Sequence, residues 1–257
     1  MDPSGRHGPS RHRLLTVTGI TGIGYTLSWA AGLAVPAPSP RLSASGAEIT
    51  AALAGHGTAV AGQFTLTEGL PAAALAIVSI ALARAARRSA AAAAGRAALL
   101  AGLAAALVSA LQFVLGLVLA QTATAGPADA LYDAVNRLDG VKMLALAILG
   151  LAGTASGALP RWLRYTGITL AVAITASGVA YLLLAAGLAV LAVPAGVLLL
   201  VFITGTGIAL GAPDGKPRRA TTPPAPPTPA SREYPVMPGG SRWPESGGER
   251  VSEPRVG

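Results

Sequence analysis

Between Tyr165 and Pro213 the chain reads YTGITLAVAITASGVAYLLLAAGLAVLAVPAGVLLLVFITGTGIALGAP, 49 residues without a single charge. As one α-helix this segment would measure about 73 Å at 1.5 Å per residue, more than twice the ~30 Å hydrocarbon core of a bilayer. We therefore expect it to fold back on itself as two membrane helices. The turn is predicted around residues 187–194, because glycine relaxes the backbone and proline is tolerated in the first turn of the following helix.

The composition of the whole chain also indicates membrane helices. Of its 257 residues, 52% are hydrophobic and only 12% are charged, whereas an ordinary soluble domain carries about 25% charged residues. The absence of cysteine excludes a disulfide framework, a thiol nucleophile and a thiolate metal site. The net charge of +8 does not indicate nucleic-acid binding, because the basic residues are spread over short segments between apolar runs. The sequence is typical of a membrane protein.

The predicted fold class is all-α: a polytopic bundle of six transmembrane helices with both termini cytoplasmic. The spans are recognised by their near-total lack of charge and lie at residues 14–35, 63–83, 97–120, 141–159, 165–186 and 190–210. They form one transmembrane domain, 14–211, preceded by a basic leader, 1–13, and followed by a proline-rich tail, 212–257. The tail holds 11 of the 20 prolines, so we expect it to be disordered on the cytoplasmic side.

The basic residues set the predicted orientation, because cytoplasmic loops retain Lys and Arg. With the N-terminus inside, 16 of the 19 basic residues fall on the inner side, and the outer side receives only Arg41, Arg137 and Lys142. Trp29 and Trp162, each near the end of a span, fit interfacial anchoring. The protein is therefore expected to be a multi-pass protein of the plasma membrane.

The first span has an alternative interpretation as a secretory signal peptide. Arg6, Arg11 and Arg13 form a basic n-region, and residues 35–37 resemble a small-residue cleavage site. A retained helix is favoured, because the 22 continuous residues of this span exceed the roughly 7 to 15 of a typical signal-peptide core.

Two segments outside the membrane carry helix signals. Ser45 and Glu48 form a capping-box pattern, which predicts a short surface helix. Residues 129–142 are predicted to form an interfacial helix that leads into the fourth span, with an ion pair between Asp133 and Arg137 at i, i+4. The polar side chains of this segment have two interpretations: a site for a polar ligand or cation, or, as the favoured one, a solvated helix face.

One polar constellation is the candidate functional site. Glu68 is the only acidic residue inside a span, and a carboxylate there is costly unless it is paired. Lys142 begins the fourth span at a similar depth, and Asp139 precedes it. Gln63 and Gln112 offer hydrogen bonds from the second and third spans. Glu68 is then a functional residue in an outward cavity, a boundary residue at headgroup level, or a structural tie to Lys142.

Residues typical of catalytic or cofactor sites are scarce. The three histidines, His7, His12 and His56, all lie outside the spans, which argues against haem ligation and against an H-E-x-x-H metalloprotease. No G-x-S-x-G, Walker A or Rossmann motif occurs. We therefore predict no cofactor, no metal and no enzymatic activity.

Small residues recur at four-residue spacing, a pattern that lets membrane helices approach closely. Examples are Gly24, Ser28 and Gly32 in the first span, and Gly207 and Gly211 in the last. The pattern indicates either self-association through one such face or packing inside the bundle. Packing is favoured, because Gly and Ala are so frequent that chance matches are expected.

Five short segments carry a family resemblance: GITGIGY at 19–25, EG at 68–69, the loop at 132–143, LPRWLR at 159–164 and SGVAY at 177–181. Together they resemble a group of bacterial six-helix integral membrane proteins that carry only a domain-of-unknown-function label. The resemblance covers residues 14–211 and implies the six-helix architecture. That group has no established activity, so no functional residue is carried over.

Three functional hypotheses follow. The first is a non-enzymatic structural, sensing or regulatory membrane component, whose partners are the lipid bilayer and a second copy or other membrane proteins, and not nucleic acid. The alternative is a small transporter or channel subunit with an outward-facing polar site around Glu68. The third is a membrane-embedded lipid enzyme. Such enzymes usually need several acidic or histidine residues near one face, and here the carboxylates are scattered.

Overall fold

The structure is a computed structural model that describes residues 9–122, 124–185, 187 and 190–212, with side chains described from residue 17 onward. In this part of the chain the fold is all-α and contains no strand. The helices are α1 (Pro9–Ala34), α2 (Gly46–Leu53), α3 (Gly57–Phe64), α4 (Leu70–Arg88), α5 (Ala92–Leu119), α6 (Ala125–Ala155), α7 (Arg161–Leu182) and α8 (Ala192–Gly211). Residues 1–8 of the predicted leader and 213–257 of the predicted tail lie outside the described residues.

The helices α3 and α4 belong to one longer helix. A π-helical segment, Thr65–Gly69, joins them, so the helix runs unbroken from Gly57 to Arg88. Together with α5, α6, α7 and α8 it makes five helices, among the described residues, that are long and apolar enough to cross a membrane. The chain is therefore a multi-pass α-helical membrane protein. The 26 residues of α1 span about 39 Å, but its glycines and threonines make it less apolar than these five.

The uncharged stretch folds back as expected. Its two helices, α7 and α8, have 22 and 20 residues, or about 33 and 30 Å, which matches the ~30 Å core of a bilayer. Pro194 lies in the first turn of α8, as predicted. The turn starts earlier than residues 187–194, because Leu184 takes a left-handed conformation with a φ of 52°. The N–H of Ala185 can then donate to the carbonyl of Ala180 at 2.8 Å, a closure typical of helix C-termini.

The capping box of α2 is confirmed. The backbone N–H of Ser45 donates to Glu48 Oε2 at 2.8 Å, and the N–H of Glu48 donates to Ser45 Oγ at 3.4 Å. The hydrogen bonds from the Ser45 backbone and then from its side chain hold the pKa of the Glu48 carboxyl below its usual value. Ile49 and Leu53 are buried in a cluster with Leu119, the last residue of α5. The surface helix is therefore packed onto the end of the bundle.

The helix α6 corrects one expectation. The interfacial helix predicted at residues 129–142 and the fourth span are a single continuous helix of 31 residues, or about 46 Å. Gly140 does not break this helix, because it lies directly against α7. A Cβ built at Gly140 would sit 2.6 Å from the carbonyl oxygen of Gly178. The polar residues that suggested a separate element instead extend α6 beyond the thickness of a bilayer core.

The ion pair predicted between Asp133 and Arg137 is not among the contacts that the described residues make. Arg137 Nη1 donates instead to the carbonyl oxygen of Leu182 at 3.2 Å. This carbonyl belongs to the C-terminal end of α7, where the helix dipole attracts a positive charge. Arg137 thus ties α6 to the turn that follows α7.

The helices α1 and α8 pack through small residues. A Cβ built at Gly22 would lie 3.0 Å from the Cα of Gly207. Thr204 Oγ1 donates to the carbonyl oxygen of Gly22 at 3.0 Å and lies 2.6 Å from Thr26 Oγ1. Gly207 of the four-residue pattern is therefore used for packing inside the chain. A Cβ at Gly24, on another face of α1, would have no described atom within 4 Å.

The apolar core is formed by α4, α5, α6, α7 and α8 together with Tyr25 of α1, and its largest fully buried side chains include Leu75, Leu82, Leu149, Leu163 and Phe202. The outward faces of the bundle are apolar as well. Leu100, Leu107, Val172 and Val193 are each 69–72% exposed, which would be costly in water but suits contact with lipid.

Candidate functional site

A charged cluster, made of Glu68, Asp139 and Lys142, is buried inside the bundle. Lys142 Nζ donates to both carboxylate oxygens of Glu68 at 2.8 Å and lies 2.7 Å from Asp139 Oδ1. An ammonium has three N–H groups, so these three contacts use all of its donors. Glu68 and Lys142 are only 7% and 6% exposed, whereas the side chain of Asp139 is 21% exposed. Asp139 is therefore the member of the charged cluster that reaches a surface.

Two side chains of α5 contact the charged cluster. Ser109 Oγ donates to Glu68 Oε2. Gln112 Nε2 donates to Asp139 Oδ1 at 3.4 Å and to the carbonyl oxygen of Val135 at 3.0 Å. Each carboxylate of the cluster thus accepts a hydrogen bond from α5 as well as from Lys142.

The π-helical segment Thr65–Gly69 positions Glu68. Pro71 has no N–H, and in a regular α-helix its ring would clash with the carbonyl four residues earlier. In the wider π pattern the carbonyl of Leu66 would accept from position 71, where proline offers no donor. Ser28 Oγ of α1 donates to this carbonyl and satisfies it. The sequence around Pro71 therefore favours the widened turn on which Glu68 sits.

With both carboxyl groups ionised, the charged cluster carries one negative charge in excess, because two carboxylates face one ammonium. A buried charge without a partner is costly. Two oxygens also accept no hydrogen bond within the described part of the chain. They are Asp139 Oδ2 and Gln112 Oε1, and Gln112 is only 1% exposed. Excess negative charge beside unused acceptors favours a bound donor or cation.

Four of the five candidate residues come together in the structure, and Gln63 does not join them. Gln63 is half-buried on α3, and its side chain makes no hydrogen bond or ion pair with any residue the structure describes. Glu68 is buried between helices, so it is not exposed to lipid headgroups as a boundary residue would be. Its contact with Lys142 is compatible with both a structural tie and an internal binding site.

Asp139 and Lys142 also line a groove between α1, α6, α7 and α8. The groove has a volume of about 330 Å³, which is within the roughly 300–1,000 Å³ of small-molecule sites. Its remaining lining residues are mostly apolar. The charged cluster is therefore connected to a space that can hold a small ligand.

The two ends of the groove differ in polarity. Asp139 and Lys142 lie at one end, and Tyr181 lies within electrostatic range of both. The other end is lined by Leu146 and Ile174, each seven residues further along its helix, or about 10 Å away. The groove is thus polar at one end and apolar along the rest of its length.

Aromatic side chains flank the polar end. Trp29 of α1 lines the groove, one helical turn after Tyr25, which is buried within electrostatic range of the whole charged cluster. Sequence reasoning missed Trp29, which it interpreted as an interfacial anchor, and Tyr181. The usable signal was the i, i+4 spacing of Tyr25 and Trp29, which places both rings on one face of the least apolar span.

Metal binding has no obvious location. The described ranges contain no group of three or more His, Cys, Asp or Glu side chains that could hold a metal ion. The groove and the charged cluster are therefore the features from which a function can be inferred.

Comparisons with known proteins give no match: no family model matches the chain, and no curated protein and no solved structure is significantly similar to it. The resemblance to the six-helix membrane proteins therefore stays a prediction. The function has to be inferred from the geometry of the site.

Proposed function

We propose that the chain is a six-span protein of the plasma membrane with both termini cytoplasmic. In this proposal α1 crosses the membrane in addition to the five long apolar helices. The packing of Gly22 against Gly207 and the hydrogen bond from Ser28 to Leu66 support a retained α1 rather than a cleaved signal peptide. The distribution of basic residues supports the orientation, because 16 of 19 fall on one side of a six-span arrangement.

Single cysteines test this topology, since the chain has none of its own. Cysteines at Ser45 and Asn136 are expected to react with an impermeant maleimide added to intact cells. A cysteine at Ser89 should react only after the cells are opened. Labelling of all three from the same side would contradict the six-span arrangement.

In this membrane the protein acts as a non-enzymatic sensing or regulatory component that binds an amphiphilic molecule in the groove. The observation that carries this proposal is the continuity between the 21%-exposed Asp139 carboxylate and a groove with apolar walls. A ligand with a polar head and a hydrocarbon chain matches both ends of that space. In the proposed orientation α6 ends on the inner side at Ala155. Lys142 lies 13 residues before Ala155, or about 20 Å, so the proposed ligand occupies the outer half of the bilayer.

The burial and hydrogen bonding of Ser109 and Lys142 favour a binding role over catalysis. Ser109 is the hydroxyl in contact with the charged cluster, but it is 2% exposed and its proton is donated to Glu68. Lys142 has all three donors on carboxylates and is a poor base in that state. Among the described residues that line the groove, Asp139 has an unused acceptor and so offers a head group a partner for binding.

The test is to identify what occupies the groove in the native membrane. Gly196 lines the groove, and a Cβ built there would meet no described atom within 4 Å. Gly196→Leu should therefore fill the groove without disturbing the fold, and Gly24→Leu, at an equally open glycine outside the groove, is the matched control. The full chain is extracted with a membrane-solubilising polymer, and single-chain amphiphiles are quantified by mass spectrometry. We expect one class enriched over the bulk membrane in the wild type and in Gly24→Leu, and lost in Gly196→Leu. Equal lipid profiles for all three proteins would contradict the proposal.

Transport is the second candidate, and the π-helical segment that carries Glu68 favours it. Irregular turns inside membrane helices often occur at functional sites and at the ion sites of transporters. In proteoliposomes with a trapped pH-sensitive dye, transport coupled to protons predicts a flux that Glu68→Gln abolishes although the variant still folds in the membrane. Equal fluxes for the wild type, Glu68→Gln and empty liposomes would exclude proton coupling at this residue.

A further inference from the structure

We propose that the ligand of the groove is a cationic amphiphile, with one hydrocarbon chain and an amine or quaternary ammonium head that binds Asp139 beside Trp29 and Tyr181. This inference rests on the proposed function, and it adds the chemical class of the ligand.

The sign of the charge on the head group follows from the charges of the charged cluster. When both carboxyl groups are ionised, Glu68 and Asp139 together carry two negative charges, and Lys142 neutralises one of them. The three donors of Lys142 already point at carboxylate oxygens, so an anionic head would find no free donor on Lys142. Asp139 Oδ2, by contrast, accepts no hydrogen bond from the described residues and belongs to a side chain that lines the groove. A positive head of either kind would cancel the excess charge, and a protonated amine would also donate to this acceptor.

The aromatic residues at the same end favour an ammonium over other cations. Trp29 on α1 and Tyr181 on α7 line the same groove as Asp139 on α6. Trp and Tyr rings attract ammonium groups through the negative faces of their π systems, and such pairs recur in sites for quaternary ammonium ligands. A metal ion would instead need more oxygen ligands than this end offers.

The length and volume of the groove determine how many hydrocarbon chains the ligand can have. The apolar walls run about 10 Å from Asp139 to Leu146, and the volume of about 330 Å³ is near the lower limit of roughly 300 Å³ for small-molecule sites. One hydrocarbon chain fits such a space, whereas a two-chain lipid would leave its second chain outside. The occupant is therefore a single-chain amphiphile.

The experiment uses the fluorescence of Trp29. The Trp162→Phe, Trp243→Phe variant of the full chain leaves Trp29 as the only tryptophan, and it is placed in nanodiscs of an uncharged glycolipid. Three amphiphiles with the same dodecyl chain, brominated close to the head group, are titrated in: the amine, the sulfate and the maltoside. Bromine quenches tryptophan on contact. A variant that keeps only Trp162, which is 54% exposed, measures quenching by partition into the lipid alone.

We expect the amine to quench Trp29 at a concentration at least about tenfold below that of the sulfate or maltoside, because hydrogen bonds to charged groups are worth roughly that factor. Asp139→Asn should remove this preference, and Gly196→Leu should remove quenching of Trp29 beyond the Trp162 level. Gly196→Leu keeps the charged cluster intact, so it tests the groove even where Asp139→Asn fails to fold.

Two other results overturn the inference. Equal quenching of Trp29 by all three amphiphiles, above the Trp162 level, would show that the groove binds hydrocarbon chains without selecting a cation. The proposed function would then stand and the ligand class would be wrong. Quenching of Trp29 no stronger than that of Trp162 would overturn the proposed function and the ligand class together.

Discussion

Replacement of Lys142 by methionine is the sharpest test of how the charged cluster contributes to stability. Methionine keeps the length of the side chain but removes the ammonium, which leaves Glu68 and Asp139 facing each other without a cation. Removing one partner of a buried ion pair costs about 3–5 kcal/mol of unfolding free energy. Lys142 is 6% exposed and has two carboxylate partners, so we expect the upper part of that range.

Glu68→Gln should cost less than Lys142→Met. After this change Lys142 keeps its contact with Asp139 at 2.7 Å, and the amide oxygen can still accept one N–H from the ammonium. The loss is then that of a hydrogen bond to a charged group, about 1.5–3 kcal/mol. The order of the two single variants follows from the geometry, in which one cation serves two carboxylates.

The double variant Glu68→Gln, Lys142→Met completes a thermodynamic cycle. It removes a charge of each sign, so we expect a coupling energy of about 1–3 kcal/mol between the two positions. Unfolding is measured in detergent micelles titrated with sodium dodecyl sulfate and followed by far-UV circular dichroism. Gln63→Met is the control, because Gln63 lies outside the charged cluster, and its effect should stay within about 0.5 kcal/mol. A coupling energy near zero, or a larger loss for Glu68→Gln than for Lys142→Met, would contradict a buried ion pair in which Lys142 serves both Glu68 and Asp139.

Two further predictions concern helix packing and the surface helix. Gly22→Val should destabilise the protein by about 1–3 kcal/mol in the same assay, because its side chain would press on the backbone of Gly207, whereas Gly24→Val should change the stability little. Ser45→Ala should speed amide hydrogen exchange in α2, because it removes half of the capping box. The pKa of Glu48 is lowered in the folded helix, so this carboxylate stabilises α2 above its unfolded pKa and stops doing so as the pH falls through the folded value. The difference between wild type and Ser45→Ala should therefore shrink on acidification, and a difference that grows would contradict the role of Glu48.

The sequence predicts the membrane architecture because length and charge alone limit it. The 49 uncharged residues from Tyr165 to Pro213 exceed one bilayer crossing and fall short of three. The pairing of Glu68 with Lys142 is also predictable, since a carboxylate inside a span needs a partner and few cations lie near its depth. Asp139 could have been assigned to the same contact from its i, i+3 spacing to Lys142.

Other features depend on contacts between residues that lie far apart in the chain, and the sequence alone does not reveal these contacts. The π-helical segment before Pro71 relies on Ser28 of α1, which supplies a donor from 38 residues away. The continuity of α6 through Gly140 depends on the neighbouring backbone of α7. The groove depends on how α1 and α8 are rotated about their axes, so the spacing of Tyr25 and Trp29 predicts that the two rings share a face of α1 but not that this face lines a groove.

The contact between α1 and α8 has a consequence for the connectivity of the bundle. Gly19 of α1 lies beside Gly211, the last residue of α8, so α1 and α8 are neighbours and the order of helices closes into a ring. The bundle would then keep every helix contact if α8 were joined to α1 by a linker and the chain were opened between Arg88 and Ala92. Such a circular permutant would begin with α5 and end with α4, and only the sequence in which the helices enter the membrane would differ.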